Sequence, residues 1–343
     1  MNLNKLNRDL RGIARPWLLR TTAIKRLYEL AFWLTYRCVY DCDCCLITEK
    51  DYILDKNKIF SMVDSALALR LTRVAISGGE PLLHPDFLEI CRYITERNLS
   101  LVIHTTGKDF NDELVERVYD GPGFVKIDLT INSVDPEIND LTRKKGAFED
   151  SVGLARRLKL KDKNMGVTVV VDRRNLHTVP ETTRFLFEEL SPHSVSVYLG
   201  APLGQYVKHA KDFMLTDEEI LDFHWLLTDL AREWEEKGKL FSPIAIVYGS
   251  PSYCPALYGS LNVLPSGNLS TCCYYLDDDM RIGTIDEPIE EVLSFSRFQK
   301  LKKKYKRLFY NLDERKRKIG VFSCFECAVN YQKLFKGRDL RTE

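Results

Sequence analysis

The chain has 343 residues, 45% hydrophobic and 29% charged, with a formal net charge of +1. That balance excludes a disordered or collagen-like chain, and a near-neutral total leads to no expectation of nucleic-acid binding. No apolar stretch approaches a membrane span, and the start lacks the basic–apolar–small-residue order of a secretory signal; ten cysteines in that setting point to a reducing, cytoplasmic location, with thiols serving metals or the core rather than disulfides.

In chain order, residues 1–30 form a basic extension in which Ile24–Leu30 reads as an amphipathic helix. From residue 31 to about 200, strand-like runs alternate with helical patterns. Strands are expected at Ala31–Arg37, Arg73–Ser77, Ser100–Thr105, Val125–Ile131, Met165–Val171 and His193–Leu199. Helices are expected at Lys56–Arg70, Pro85–Asn98, Asn111–Val118, Ala147–Lys159 and Pro180–Leu190. Several strands are near-continuous apolar and β-branched runs, as in a parallel sheet covered on both faces. The repeated βα unit implies an α/β fold with right-handed crossovers, either an open sheet or an incomplete barrel. Leu215–Gly238 reads as a longer helix with Thr216 as its N-cap. After about residue 239, shorter strands, turns and cysteines take over. The expected organisation is therefore an extension (1–30), a core of parallel strands (31–238) and a smaller cysteine-rich α+β domain (239–343). Charge is uneven: the first 37 residues carry eight Lys/Arg against two acidic residues, and residues 299–320 carry ten against two. Solvated helix faces are the plain explanation; docking onto an acidic partner or a phosphate-bearing surface is the sharper one.

Cys38, Cys42 and Cys45 follow the first strand with the spacing Cys-x3-Cys-x2-Cys. Three thiolates on one short loop suit three irons of a [4Fe–4S] cube. The fourth iron then stays open, and an open coordination position is where a metal centre does chemistry. Zinc is the alternative, but zinc sites usually draw two ligands from each of two places. Cys44 competes with Cys45 for the third position. The second strand ends in Ser77-Gly-Gly-Glu-Pro81, where a glycine pair admits close backbone approach, a carboxylate follows, and a proline fixes the turn.

These motifs together resemble the radical SAM (S-adenosylmethionine, SAM) enzymes. The resemblance implies a partial (β/α)6 barrel with its site at the C-terminal strand ends. It implies that SAM chelates the open iron and is split by one electron, giving a 5′-deoxyadenosyl radical that takes a substrate hydrogen. It assigns Gly78, Gly79 and Glu80 to the SAM amino group, with Pro81 in support. Thr105-Thr-Gly107 stands where the family has Thr-Asn-Gly. Asp128-Leu-Thr-Ile-Asn-Ser133 resembles the family's Ser-Leu-Asp-Gly segment, with Thr130 in the serine position and Asn132 in the aspartate position. Thr130 is thereby a candidate contact to the SAM ribose or carboxylate, and Arg143 a candidate for the carboxylate. His84, in a Leu-His-Pro turn, reads as structural. His104 points into or out of the barrel according to a register that the sequence leaves open.

A second set of cysteines lies in the last third. Cys254 precedes a hairpin signal, Pro265-Ser-Gly-Asn268, which leads to Cys272, and Cys324-Phe-Glu-Cys327 adds a Cys-x2-Cys pair. Four thiolates make a closed site, either an electron-carrying cluster or structural zinc. The spacing resembles the SPASM/twitch auxiliary domains that follow many radical SAM barrels, in the shortened form with one [4Fe–4S] cluster. That resemblance implies Cys254, Cys272, Cys324 and Cys327 as ligands, with Cys273 as the rival of Cys272. Two [4Fe–4S] clusters and SAM are the implied cofactors, and flavodoxin or ferredoxin the kind of electron donor.

The function expected from these features is hydrogen-atom abstraction from a small molecule, as a net oxidation or rearrangement with the second cluster as electron conduit. A ribosomally made peptide is the alternative substrate, although only about thirty residues precede the first strand, where many peptide-modifying relatives carry a recognition domain. A lipid substrate or peripheral membrane contact is suggested by the basic, apolar N-terminal segment. The non-enzyme rival is a zinc module gripping nucleic acid through Lys300–Arg307 and Arg315–Lys318.

Overall fold

A computed structural model describes residues 27–48, 51–243, 247–248, 259–275, 278–310, 321–322 and 324–341. Six parallel strands form its centre: β1 (Glu29–Thr35), β2 (Arg73–Gly78), β3 (Ser100–Thr105), β4 (Val125–Thr130), β5 (Met165–Val171) and β6 (Ser194–Leu199). They lie side by side in chain order and pair in parallel throughout. The connecting helices are α1 (Lys56–Leu67), α2 (Phe87–Glu96), α3 (Asp112–Tyr119), α4 (Pro136–Thr142), α5 (Ala147–Leu160) and α6 (Val179–Phe185), followed by the long α7 (Asp217–Glu236). This is the partial (β/α)6 barrel that the family resemblance implied; the alternating pattern alone left an open sheet equally possible.

Local sequence explains most of the boundaries. Asp55 caps α1 by accepting from the backbone N–H groups of Asn57 and Lys58, and Asn111 caps α3 through Leu114. Thr216 and Glu219 form a reciprocal capping box that starts α7 at the expected place. Alternate strand residues such as Leu30, Phe32, Ile76, Ile103, Ile127 and Val169 are fully buried in one continuous core beneath the helices. Each contributes about 1.5–3 kcal/mol by leaving water. The other strand face is smaller and more polar, with Ala31, Ala75, Thr168 and Ser196 in line with the barrel interior.

The C-terminal part continues the same sheet. After β7 (Leu240–Ser242), which pairs with β6, come β8 (Val247–Tyr248), β9 (Ser260–Val263), β10 (Asn268–Ser270) and β11 (Arg281–Thr284). β9 pairs in parallel with β1, and the antiparallel β9–β10–β11 meander extends the sheet to ten strands. The expected hairpin at Pro265–Asn268 is the β9–β10 turn. Two helices, α8 (Phe295–Tyr310) and α9 (Cys324–Phe335), finish the chain, with β12 (Val321–Phe322) antiparallel to β8.

Three expectations need correction. Ile24–Leu30 is not a helix at its end: Glu29 and Leu30 open β1, because Leu30 alternates with Phe32 and Leu34 into the core; residues before 27 lie outside the described ones. α4 was not expected; Asp135 caps it, and Pro136 sits at its first turn, where a missing N–H costs nothing. Helix at Pro180–Leu190 divides into α6 and a wider π turn over Leu186–Leu190. The basic run Lys300–Arg307 lies on α8, whose Phe298, Leu301, Tyr305 and Leu308 are buried while Lys300, Lys302 and Lys303 are exposed. Its charge is a solvated helix face; Arg315–Lys318 lies outside the described residues. Among the described residues no helix is long and apolar enough to cross a membrane.

Candidate functional site

The cysteine loop is fastened to the second strand by backbone. Gly79 N–H donates to Thr35 O at 2.7 Å and Glu80 N–H to Arg37 O at 2.8 Å. Gly78 has φ +138°, and a Cβ there would lie 2.2 Å from Thr35 O; at Gly79 it would lie 2.1 Å from Arg37 O. The close approach that demands two glycines is therefore to the chain leading into the cysteines. On its far side the loop is held by Lys144–Asp43 at 2.8 Å and by Gln205 N–H donating to Cys45 O at 2.8 Å.

The thiols differ in what they meet. Cys38 Sγ accepts from Tyr40 N–H at 3.5 Å and Cys45 Sγ from Ile47 N–H at 3.4 Å. Cys42 takes its hydrogen bond from the Arg143 guanidinium. Burial pushes the Cys38 and Cys42 thiols up, and these donors pull the other way. Cys44 behaves oppositely: its thiol donates to Thr142 O at 3.4 Å, and burial pushes it up to about 12. Three sulfurs that each receive a donor match the chemistry of thiolate ligands, which carry charge and only accept. A thiol spent on a backbone carbonyl does not. The loop thus fits an iron–sulfur cluster on Cys38, Cys42 and Cys45, with Cys44 turned away.

Beside the loop, Glu80 is buried and fully engaged. One carboxylate oxygen accepts from Thr105 Oγ1 at 2.8 Å and Leu82 N–H at 3.3 Å; the other accepts from Thr106 N–H at 2.8 Å and Thr106 Oγ1 at 2.7 Å. Burial holds its carboxyl above the ordinary range against those donors. Pro81 opens the short 3-10 turn that follows. A cavity of about 340 Å³ adjoins Glu80, Val39 and Lys108. Arg143 is buried, contrary to the usual fate of arginine, and also donates to Thr130 O and, at 3.1 Å, to Ser151 Oγ. Thr130 and Arg143 are thus brought together, through Thr130's carbonyl. Asn132 ties loop to helix, accepting from Val170 N–H at 2.9 Å and donating to Thr142 Oγ1 at 3.0 Å. His84 is structural as expected, bonded to Leu54 O at 2.7 Å and accepting from Asp86 N–H at 3.1 Å.

The register of β3 and β4 settles His104, which pairs with Asp128 on the inner face. Lys126 Nζ lies 2.9 Å and His104 Nδ1 4.0 Å from Asp128 Oδ2. Gly166, Asp128's partner on β5, leaves the room: a Cβ there would lie 2.0 Å from Asp128 Oδ1. Sequence reasoning missed this wall. Its signal was the alternation Val125-Lys-Ile-Asp-Leu-Thr130, which puts two charged residues on one face of the strand.

Of the second cysteine set, Cys272, Cys324 and Cys327 are described and Cys254 is not. Cys272 Sγ accepts from Tyr274 N–H at 3.4 Å, repeating the relation of Cys38 and Cys45 to the residue two further on, while Cys273 is exposed. Cys327 Sγ lies 2.8 Å from Tyr275 Oη. Tyr198, on the inner face of β6, is pushed up by burial and then by Cys273, Asp128 and Cys324, so the polar wall and the second cysteines share one neighbourhood. A larger cavity, about 590 Å³, opens between the cysteine loop and the C-terminal part; Tyr36, Tyr52, Tyr274, Tyr275, Tyr331, Asp278 and Lys336 line it.

Comparison with known proteins decides what this arrangement belongs to. Residues 34–186 match the profile of the Radical SAM superfamily, and residues 254–328 that of the SPASM iron–sulfur cluster-binding domain. The chain is a radical SAM protein with a C-terminal SPASM domain. Its radical SAM and SPASM domains imply two [4Fe–4S] clusters and SAM as cofactors. It is 28% identical over 183 residues to the AdoMet-dependent heme synthase of Methanosarcina barkeri, covering 51% of each chain. It is 26% identical over 156 residues to the mycofactocin maturase MftC of Mycobacterium tuberculosis, covering 44% of this chain and 40% of that one. The radical SAM protein thus spans about half the length of these relatives or less. Among solved structures it resembles Streptococcus suis SuiB bound to precursor peptide SuiA (TM-score 0.68, 16% identity, 86% of this chain and 71% of that one). It also resembles anSMEcpe with bound AdoMet and Cp18Cys peptide (TM-score 0.66, 17% identity, 90% and 96%). At such identities these structures establish the fold of the radical SAM protein alone.

Proposed function

We propose that this radical SAM enzyme abstracts a hydrogen atom from a peptide and leaves it two electrons more oxidised. Cys38, Cys42 and Cys45 hold the first cluster in this reading; Cys254, Cys272, Cys324 and Cys327 hold the second, within a C-terminal unit of residues 239–343 that follows a core of residues 31–238. When bound, the first cluster with SAM would supply hydrogen-atom abstraction, and the second would supply electron acceptance. The observation that carries the reading is the contrast among thiols: three sulfurs on one loop accept donors while Cys44 donates away.

The chain's own groups then have distinct tasks. Glu80, locked by Thr105 and Thr106, fixes a negative charge beside the Gly78–Gly79 backbone that attracts the SAM amino group. In this reading Thr130 and Arg143 serve the SAM carboxylate, and Arg143 also steadies Cys42. Lys126, Asp128 and His104 face the interior where substrate enters, and His104, exposed there, is placed to accept a proton with Asp128 behind it. The cavity of about 590 Å³ is lined by aromatic side chains, and two neighbours of the same fold were solved with peptides, which favours a peptide over a small molecule.

Two experiments test this. Replacing Cys38, Cys42 and Cys45 together with Ala should abolish 5′-deoxyadenosine formation and leave about half of the iron; persistence of that product would refute the ligand set. For the substrate, loaded enzyme is given extract from deuterated cells, divided into peptide-sized and small-molecule fractions. Deuterium should enter 5′-deoxyadenosine from the peptide fraction. Transfer from the small-molecule fraction alone would restore the small-molecule reading.

A further inference from the structure

The hydrogen bond at Cys327 differs from those at the other candidate ligand sulfurs. Cys38, Cys45 and Cys272 receive backbone N–H groups at 3.4–3.5 Å. Cys327 receives a phenol: Tyr275 Oη is 2.8 Å from Cys327 Sγ, and both residues are buried. An iron-bound thiolate has lone pairs and no proton, so the hydroxyl must be the donor.

Neighbours fix the aim of that hydroxyl. The Tyr275 ring lies against Tyr331, with centroids 4.6 Å apart, and near Tyr305 at 6.4 Å. Tyr331 is itself tied down, donating to Asp279 Oδ2 at 2.9 Å, and Asp279 also pairs with Lys336 at 2.8 Å. The hydroxyl of Tyr305 sits 3.4 Å from Thr271 Oγ1, next to Cys272. A buried ring held on two sides has little freedom to turn its oxygen away.

Such a bond bears on electron transfer. A donor to a ligand sulfur draws charge from the iron–sulfur bonds and stabilises the more negative, reduced cluster over the oxidised one. Burial strengthens the effect, because little water competes. We propose that Tyr275 sets the reduction potential of the second cluster, raising it so that the cluster accepts an electron from the substrate. This rests on the reading of Cys327 as a ligand.

The test uses the full chain, anaerobically reconstituted, with a redox titration followed by electron paramagnetic resonance. Tyr275→Phe keeps the ring and removes only the donor. Both clusters should remain and the first should keep its midpoint. The second should move to lower potential, with its oxidised-to-reduced ratio at fixed poise rising about tenfold, or 59 mV for one electron. An unchanged midpoint would overturn the proposal. Tyr331→Phe, which alters the same packing without touching a sulfur, should leave the potential in place; an equal fall there would reassign the effect to packing and overturn it too. Should Tyr275→Phe lose the second cluster, the reduced wild-type protein decides. It should show a strongly coupled proton at that cluster that exchanges in D2O, and absence of that coupling overturns the proposal. Failure of the ligand reading looks different: Cys327→Ala would then retain both clusters.

Discussion

Gly79→Ala is the sharpest structural perturbation of the site. The added methyl would lie 2.1 Å from Arg37 O, 2.6 Å from Arg37 C and 2.7 Å from Tyr36 O, all backbone atoms. No side chain can swing aside, so one of the two segments must retreat by more than 1 Å to reach ordinary contact. Overpacking of this kind costs about 1–3 kcal/mol. The retreat also breaks the bonds from Gly79 N–H to Thr35 O and from Glu80 N–H to Arg37 O, at about 0.5–1.5 kcal/mol each. The sum, roughly 2–6 kcal/mol, is a large part of a typical total stability of about 5–15 kcal/mol. It corresponds to a fall in melting temperature of about 4–24 °C at roughly 2–4 °C per kcal/mol. Because the displaced segment leads into Cys38, iron at the first cluster should fall as well. Thermal denaturation by circular dichroism, with iron analysis, measures both. Gly153→Ala is the matched control: in mid-α5 its methyl meets only Arg157 Nη1, at 3.7 Å, and helix propensity should raise stability by about 0.5–1 kcal/mol. A Gly79→Ala protein with unchanged melting temperature and full iron would refute the reasoning.

The remaining expectations are briefer. Cys44→Ser should keep the first cluster, since a hydroxyl also donates to Thr142 O, whereas Cys45→Ser should lose it; equal loss of iron from both would put Cys44 back among the ligands. Asp128→Asn should leave substrate-free SAM cleavage intact and lower substrate turnover about 10–100-fold, as expected for loss of about 1–3 kcal/mol of positioning at the inner wall. Equal loss in both assays would place Asp128 in structure rather than substrate handling. Glu219 is held below its ordinary value of 4.5, chiefly by the Thr216 backbone N–H. A lowered carboxyl stabilises the fold above its unfolded value and stops doing so as pH falls through the folded one. Glu219→Gln should therefore flatten the acid side of the stability curve, read by urea denaturation between neutral pH and pH ~3; an unaltered acid limb would count against the cap.

The sequence disclosed those parts of the fold in which one physical cause dominates. β3 and β5 are found at their expected bounds because their apolar, β-branched runs have no rival structure. The Cys-x3-Cys-x2-Cys loop and the Gly-Gly-Glu-Pro turn could be read because their residue types are rare and closely spaced. What stayed hidden depends on two segments meeting. The reason for two glycines lies in the backbone of Thr35 and Arg37, more than forty residues earlier. His104 gained an orientation only when β3 and β4 paired, and Asp128 gained its space only through Gly166 on β5. α8 was foreseen only as a solvated basic helix face; dense lysine masked its bounds and its buried side, although Phe298, Leu301, Tyr305 and Leu308 carry a helical period. The burial of Arg143 could not be read from the sequence, because its partners, Cys42, Thr130 and Ser151, come from three separate segments.

One measurement reaches the centre of the account: paramagnetic resonance of the reduced, anaerobic protein before and after SAM is added. If Cys38, Cys42 and Cys45 leave one iron without a protein ligand, SAM will coordinate it and the signal of that cluster will shift. A spectrum that stays the same at saturating SAM would contradict the account.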